Sequence, residues 1–190
     1  MLLKTPSSAD SLIPLVLDLD GTLIKTDTLY ILILSLFYKK PWYVPLLPFW
    51  FWKSRPFAKA RLTELIDLPT HTLPYNFELL DFAKREAKKG RTLILATGTD
   101  QRLAQKIADH LGIFHEVIGS DGQINMTGPR KQKALVQRFG AYGFDYAGDA
   151  HIDLHVWAVS RRALVVRPKR GVLKRILAIK ASDRIHHFPR

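Results

Sequence analysis

Short apolar runs alternate with longer stretches in which hydrophobic residues recur at helical spacing. The short runs have the length and polar endings of buried strands: "LIPLVLDLD", "RTLILAT", "GFDYAGD" and "ALVVRP". The helical stretches are each followed by a stop glycine: "NFELLDFAKREAKK", "DQRLAQKIADHL" and "RKQKALVQRF". "HEVIGSDGQINMTG" predicts a strand followed by a turn or a hairpin. Strands that alternate with helices predict an α/β fold with a Rossmann-like, doubly wound, mainly parallel sheet.

A different pattern separates the first strand from the rest of this alternation. Two apolar runs, "LYILILSLFY" and "WYVPLLPFWFW", flank Lys39, Lys40 and Pro41. Neither run reaches the roughly 20 residues that span a bilayer, so the pattern favours a helical hairpin over a transmembrane helix. "PFAKARLTELIDL" predicts a further helix, because proline is accepted in a first turn. We therefore expect a small, aromatic-rich helical cap inserted after the first strand.

These patterns divide the 190-residue chain into three predicted parts. Residues 1–25 and 76–167 form the core of the α/β fold, residues 26–75 form the cap, and residues 168–190 form a basic C-terminal tail or helix. A hydrophobic content of 47% is enough for a sizeable core. Cysteine is absent, which excludes disulfides and cysteine metal sites. The N-terminal "MLLKTPSSADS" lacks the apolar segment of a signal peptide, so we expect a cytoplasmic protein.

The net charge of +12 is concentrated near the C-terminus. Residues 161–190 contain ten basic residues and one acid, which leaves only +3 for the first 160 residues. A basic tail attracts phosphates of any kind, either lipid headgroups or nucleic acid. The sequence contains no recognised nucleic-acid motif, and nucleic acid is therefore not an expected partner.

Polar residues that could take part in catalysis or ligand binding follow several of the predicted strands. Asp18 and Asp20 follow the first strand, Thr97 ends "LILAT", and Asp149 follows "YAG" with Asp153 four residues later. Ligands of a parallel sheet bind outside the carboxyl ends of its strands. We therefore expect these side chains to share one rim of the sheet, with a lysine from the helix that begins near residue 130.

These segments resemble four motifs of the haloacid-dehalogenase superfamily of phosphotransferases. The motifs are "DLDGTL" at residues 18–23, Thr97 at the end of its strand, a lysine at the start of a helix, and "GDAHID" at residues 148–153. All four occur in order and on the expected elements. The resemblance covers about residues 14–25 and 76–167.

The resemblance implies a phosphatase mechanism with separate roles for two carboxylates. Asp18 attacks phosphorus to form an aspartyl-phosphate, and Asp20 protonates the leaving oxygen and then activates water. An acid two residues after Asp18 favours phosphatase activity over that of relatives with another residue there. Thr97 donates to a phosphate oxygen. The lysine pairs with phosphate, and the family spacing to Leu135 selects Lys131 over Lys133.

The resemblance also implies Mg²⁺ as the cofactor, since clustered carboxylates repel one another without a cation. Its implied ligands are the Asp18 side chain, the Asp20 backbone carbonyl and Asp149. Asp153 is either a further ligand or a support for the others.

The position of the insertion resembles the phosphoserine-phosphatase-like branch, whose caps close over small phosphorylated substrates. "PYNFELLDFAKREAKKGRTLILATGTD" and "KALVQRFGAYGFDYAGDAHIDLHVW" resemble the domain joined to some UbiA-type membrane prenyltransferases. That likeness implies a lipid-linked substrate, and a location at the inner face of the membrane. The alternative is an accessory module with weak or no catalysis, whose aromatic cap and basic tail contact an anionic membrane surface or a membrane prenyltransferase.

Overall fold

A computed structural model describes residues 13–189, whose strands form one six-stranded parallel sheet. The N-terminal stretch, with its predicted lack of a signal peptide, and Arg190 lie outside these residues. The strands follow the order β3-β2-β1-β4-β5-β6. Their bounds are β1 Leu15–Leu17, β2 Leu93–Asp100, β3 Glu116–Ser120, β4 Asp145–Gly148, β5 Ala163–Val166 and β6 Ile185–Phe188. The predicted α/β fold is confirmed.

Five α-helices belong to the alternating part of the chain and cover both faces of the sheet. They are α4 Phe77–Lys88, α5 Gln101–Leu111, α6 Pro129–Phe139, α7 Leu154–Val159 and α8 Val172–Ile179. Alternate residues of a strand point to opposite faces. Leu15 and Leu17 thus pack in a core with α4 and α5, whereas Val16 packs in a second core with α6, α7 and α8.

The insertion between β1 and α4 is helical, in agreement with the pattern of its sequence. It contains α1 Thr28–Lys39, a 3₁₀ helix Pro41–Leu46, α2 Leu47–Lys53 and α3 Arg55–Leu65. Leu32, Leu36, Trp50 and Leu62 are buried and join the core on the side of α4 and α5. The insertion therefore packs onto the sheet domain through an apolar face of its own.

Among the described residues, no helix combines the length and the apolar character that crossing a bilayer requires.

The C-terminal segment contains a helix, one of the two forms expected for it, and also a strand that was not expected. Helix α8 forms, but it ends at Ile179, and β6 then pairs in parallel with β5 from Ala163↔Ile185 to Val166↔Phe188. Phe188 is buried and lies edge-on to Phe82 of α4, 5.4 Å between ring centres. "IHHF" is thus an edge strand of the sheet, and "ALVVRP" contains the fifth strand.

The alternative of a hairpin after β3 is also wrong for the described residues. Glu116–Ser120 pairs with β2, and the residues that follow it form turns that lead to α6. Asp121 Oδ1 accepts from the backbone amides of Gln123 and Ile124, which closes this turn locally. Two amides of this segment are therefore satisfied by a side chain and not by a second strand.

A buried ion cluster ties the start of β4 to the ends of neighbouring elements. Arg91 donates to the Ile13 carbonyl at 2.8 Å, to Glu86 of α4 at 3.0 Å and to Asp145. Asp145 also accepts from Arg161 at 2.9 and 2.7 Å. Because Arg91, Glu86 and Asp145 are buried, the loss of one of them leaves less compensation for the charges of the others.

We expect Arg91→Met to lower the free energy of unfolding by about 1–3 kcal/mol, since Glu86 and Asp145 each lose a buried hydrogen-bond partner and keep Lys89 and Arg161. Lys89→Met is the matched control: Lys89 also pairs with Glu86 but is half exposed, so its loss changes the free energy by less than about 1 kcal/mol. Urea denaturation measures both. A change of less than about 1 kcal/mol for Arg91→Met would show that the buried cluster adds little stability.

Candidate active site

The first two predicted site residues lie immediately beyond β1. The backbone amide of Asp18 donates to the Ala147 carbonyl at 3.0 Å, which joins the end of β1 to β4. Gly21 follows with φ of +77°, and a Cβ at that position would lie 2.5 Å from Asp149 Oδ2. A side chain at residue 21 would therefore push the two carboxylate segments apart.

Three carboxylates from different segments meet at this end of the sheet. Side-chain oxygens of Asp18, Asp149 and Asp153 all lie within 4.8 Å of one another, and the three residues are buried. Asp149 follows β4, and Asp153 ends a 3₁₀ helix, His151–Asp153. The structure thus brings together residues that are 135 positions apart in the sequence.

Lys131, in the first turn of α6, supplies a buried positive charge to the carboxylate cluster. Its Nζ donates to Asp18 Oδ1 at 2.7 Å and to the Tyr146 hydroxyl at 2.9 Å. Tyr146 in turn donates to Asp153 Oδ1 at 2.7 Å. Lys133, the other lysine considered, is exposed. The geometry therefore favours Lys131 as the lysine of the site.

Asp153 is engaged through both of its carboxylate oxygens. Oδ1 accepts from Tyr146, while Oδ2 accepts from the backbone amides of Asp149 at 3.2 Å and Ala150 at 3.0 Å. These bonds fix the loop that carries Asp149. Of the two roles considered for Asp153, this arrangement favours support of the neighbouring carboxylate over direct metal ligation.

Asp20 lies on the same rim but points to different partners. Its Oδ1 accepts from the Thr28 backbone amide, and its Oδ2 accepts from the Thr99 hydroxyl, both at 2.7 Å. Thr28 begins α1 of the insertion, and Thr99 lies near the end of β2. Asp20 is therefore held between the insertion and the sheet, separate from the cluster of three carboxylates.

Thr97 is fully buried in β2, the strand next to β1. Its Oγ1 accepts from the Thr99 backbone amide at 3.1 Å. Thr97 thus lies on the expected strand but three residues before its end at Asp100, and its described contact is to Thr99.

Burial has a strong effect on the acids of the site. It raises the pKa of Asp18 to about 7 despite the opposing charge of Lys131, and that of Asp149 to about 6 despite Lys169. Burial also raises the pKa of Asp20. Charged carboxylates are therefore unfavourable here without an added cation.

The donor set fits a divalent metal that prefers oxygen ligands. Asp18 and Asp149 offer carboxylate oxygens at a buried point, and the absence of a Cβ at Gly21 keeps that point open. Magnesium favours such oxygens and retains waters beside them. Asp18, Asp149 and the backbone carbonyl of Asp20 are the groups that would hold it.

Two residues of the site could not be predicted from the sequence because their partners are distant in the chain. Tyr146 reads as an ordinary strand residue, yet its hydroxyl joins Lys131 to Asp153. Lys59 of α3 donates to the Gly98 carbonyl at 2.6 Å, beside the Thr97 and Thr99 positions. Burial lowers the pKa of Lys59, an effect that the nearby Asp20 charge opposes. Helical spacing alone gives no signal for such a contact.

The opening of the site is a pocket of about 350 Å³ next to Asp20 and Asp149. Three basic residues line it: Lys25, Arg167 and Lys169. Lys169 Nζ lies 3.3 Å from Asp149 Oδ2 and is mostly exposed. Three acids, Asp20, Asp27 and Asp149, line it as well, so its walls carry charges of both signs. Its volume is suited to a small compound.

Comparison with known proteins identifies relatives by sequence. The sequence pattern of the haloacid dehalogenase-like hydrolase family matches residues 15–160. The uncharacterized protein y4nM of Sinorhizobium fredii is 38% identical over 158 residues, which make up 83% of this chain. The chain spans only 30% of the length of that relative.

Solved structures share the fold at low sequence identity. A protein of unknown function from Bordetella pertussis Tohama I superposes with a TM-score of 0.67 at 14% identity, covering 92% of this chain and 97% of its own. A substrate-bound phosphoserine phosphatase gives a TM-score of 0.61 at 14% identity, with coverages of 94% and 93%. The predicted family is confirmed, and the likeness to the domain joined to UbiA-type prenyltransferases stays a prediction.

We expect Tyr146→Phe to lower the free energy of unfolding by about 1–3 kcal/mol, because it leaves Asp153 Oδ1 and one Lys131 donor without a buried partner. Tyr142→Phe, at a largely exposed tyrosine, is the control and changes the free energy by less than about 0.5 kcal/mol. Chemical denaturation without metal distinguishes them. Wild-type stability of Tyr146→Phe would mean that its hydroxyl does not hold the network.

Proposed function

The chain belongs to the haloacid dehalogenase-like hydrolase family, and we propose that it is a magnesium-dependent phosphatase. It hydrolyses a phosphomonoester through an aspartyl-phosphate on Asp18. The observation that carries this proposal is the 2.7 Å contact of Lys131 with Asp18 inside the buried cluster of carboxylates. A structural salt bridge between Lys131 and Asp18 would not require Asp149 and Asp153 beside it. A site for phosphoryl transfer requires a nucleophile and positive charge that neutralises the phosphate, and acids that hold a metal ion would supply part of that charge.

Asp18 is the proposed nucleophile. Lys131 engages its Oδ1, which leaves Oδ2 to attack phosphorus. A bond forms between this oxygen and phosphorus, while the bond from phosphorus to the alcohol oxygen breaks. The product is an acyl phosphate on Asp18, and the alcohol leaves after it takes up a proton.

Asp20 is the proposed donor of that proton. Burial raises its pKa, which favours the protonated form that donation requires. Thr28 and Thr99 fix the carboxyl group through both oxygens. In the second half of the reaction Asp20 takes a proton from water, the water oxygen attacks phosphorus, and the bond to Asp18 breaks to release phosphate.

Positive and hydroxyl groups around Asp18 position the phosphate. Lys131 neutralises part of its charge, and Thr97 donates from β2. The metal would be held by Asp18, Asp149 and the Asp20 carbonyl, where it neutralises charge on phosphate. Asp153 keeps the Asp149 loop in place through its two amide contacts.

We assign residues 26–75 the role of a cap over this site. Its helix α1 begins at Thr28, which contacts Asp20, and its helix α3 sends Lys59 to the Gly98 carbonyl. Both contacts lie on the rim that holds the proposed proton donor. Such an insertion limits the substrate to a small phosphorylated compound and restricts water near the acyl phosphate.

We expect Asp18→Asn to abolish turnover of p-nitrophenyl phosphate, since an amide cannot act as the nucleophile. Asp20→Asn lowers turnover of an alkyl phosphate by at least about 10²-fold, and the loss is smaller with the p-nitrophenyl ester, whose leaving group needs no proton. Steady-state rates in Mg²⁺ measure both effects.

Asp183→Asn, at an exposed acid remote in sequence from the site, is the control and retains wild-type rates. Circular dichroism confirms that each variant is folded. Turnover that is equal with and without the Asp18 carboxylate would rule out the assignment of the nucleophile.

Millimolar Mg²⁺ should raise the melting temperature by about 3–6 °C, because it compensates buried carboxylates in the folded state alone. Asp149→Asn removes a carboxylate whose charge is unfavourable in the metal-free protein. We therefore expect the variant to be at least as stable as the wild type without metal, and to lose the shift with Mg²⁺. Asp81→Asn, at an exposed acid of α4, keeps the shift. A full shift in Asp149→Asn would exclude Asp149 as a ligand.

A further inference from the structure

The insertion exposes many large apolar side chains to solvent. Eight of the fourteen exposed large hydrophobic residues in the described chain fall between residues 30 and 52. We call these eight the aromatic surface: Tyr30, Leu34, Phe37, Tyr38, Trp42, Leu46, Phe49 and Trp52. Tyr38, Trp42 and Trp52 are 86%, 69% and 83% exposed. Such a concentration on one segment marks an interaction surface.

The aromatic surface is not needed for packing of the insertion. In α1, Leu32 and Leu36 face the core, while Tyr30, Leu34 and Tyr38 recur every four residues on the opposite side. Further along, Trp50 is buried in the core, and the flanking Phe49 and Trp52 are exposed with ring centres 6.2 Å apart. Each element therefore has one apolar face satisfied and a second without a partner among the described residues.

The charge of this segment is one-sided. Between Asp27 and Glu64 the sequence has no acidic residue and six basic ones: Lys39, Lys40, Lys53, Arg55, Lys59 and Arg61. Lys39 and Lys53 end α1 and α2, next to the aromatic surface, and both are exposed. Lys53 Nζ also lies 4.1 Å from the ring centre of Phe57. A partner that is both apolar and negatively charged would therefore complement this surface.

We propose that the aromatic surface docks on an anionic lipid bilayer. Tryptophan and tyrosine favour the region between lipid headgroups and acyl chains, and basic residues beside them are attracted to anionic headgroups. A second copy of this chain would bring like charges together, which disfavours self-association through the same surface. A bilayer satisfies both the apolar rings and the basic rim.

The insertion that carries the aromatic surface also contacts the proposed active site. Helix α3 packs against both α1 and α2, which carry most of the aromatic surface. The same α3 carries Lys59, whose Nζ contacts the Gly98 carbonyl beside the site. The docked insertion therefore connects the bilayer to the rim of the pocket through a single helix.

Vesicle flotation of the full chain tests this proposal. We expect binding to phosphatidylcholine vesicles that contain phosphatidylglycerol, little binding to phosphatidylcholine alone, and a decrease at high salt. Trp42→Ser/Trp52→Ser should lower the partition coefficient at least about tenfold, because the two rings proposed to insert into the bilayer are removed. Phe77→Ser, at a 65% exposed ring outside the insertion, is the matched control and keeps wild-type binding.

A second pair of variants tests the contribution of Lys39 and Lys53, the lysines beside the aromatic surface. Lys39→Gln/Lys53→Gln should lower binding to the anionic vesicles by about fivefold or more per lysine, whereas Lys84→Gln/Lys88→Gln, at exposed lysines of α4, should leave it unchanged. Asp18→Asn should bind as the wild type does, so loss of catalysis and loss of docking are distinguishable.

The proposal is overturned if flotation shows no dependence on phosphatidylglycerol, or if the folded tryptophan variant binds like Phe77→Ser. Sedimentation provides one further outcome. A dimer that Trp42→Ser/Trp52→Ser converts to monomers would assign the aromatic surface to self-association and contradict docking on lipid.

Discussion

The crowding of three buried carboxylates around one buried lysine is the constraint on which the rest of the site depends. Asp18, Asp149 and Asp153 lie within 4.8 Å, and Lys131 offsets only part of their charge. Hydrogen bonds from the surrounding structure hold these carboxylates in place. The Tyr146 hydroxyl joins Lys131 to Asp153 Oδ1, and two backbone amides donate to Asp153 Oδ2. Buried carboxylates whose charge is not fully compensated lower the stability of the folded protein. Their presence together therefore points to a functional site.

The parallel sheet makes this crowding possible because β1 and β4 are neighbours with matched register. Leu15 lies opposite Asp145 and Leu17 opposite Ala147, so Asp18 and Asp149 leave the sheet side by side. At the other end of the same strands, Arg91 and Asp145 form the buried ion cluster. The start of β1 and β4 is thus stabilised by paired charges, whereas the carboxylates at their other end are not fully compensated.

The sequence was most informative where local pattern decides structure. Strand runs and helix stops placed Asp18 and Asp149 correctly at strand ends, because their positions follow from burial periodicity. The choice of Lys131 over Lys133 rested on resemblance, and the structure adds the contact with Asp18, 113 residues away. Tyr146, Lys59 and β6 could not be predicted, since each is defined by a partner distant in sequence. Phe188 of the "IHHF" strand, for example, packs on Phe82 of α4.

The insertion joins the proposed chemistry to the proposed surface, and the central claim concerns Asp18. The most direct test is a single turnover of an aryl phosphate by excess enzyme, quenched in acid, with the phosphorylated residue located by peptide mass spectrometry. Use of Asp20→Asn slows hydrolysis of the intermediate and increases its amount. We predict phosphate on Asp18. Phosphate on another residue, or product formation with no phosphorylated enzyme at any time, would contradict the account.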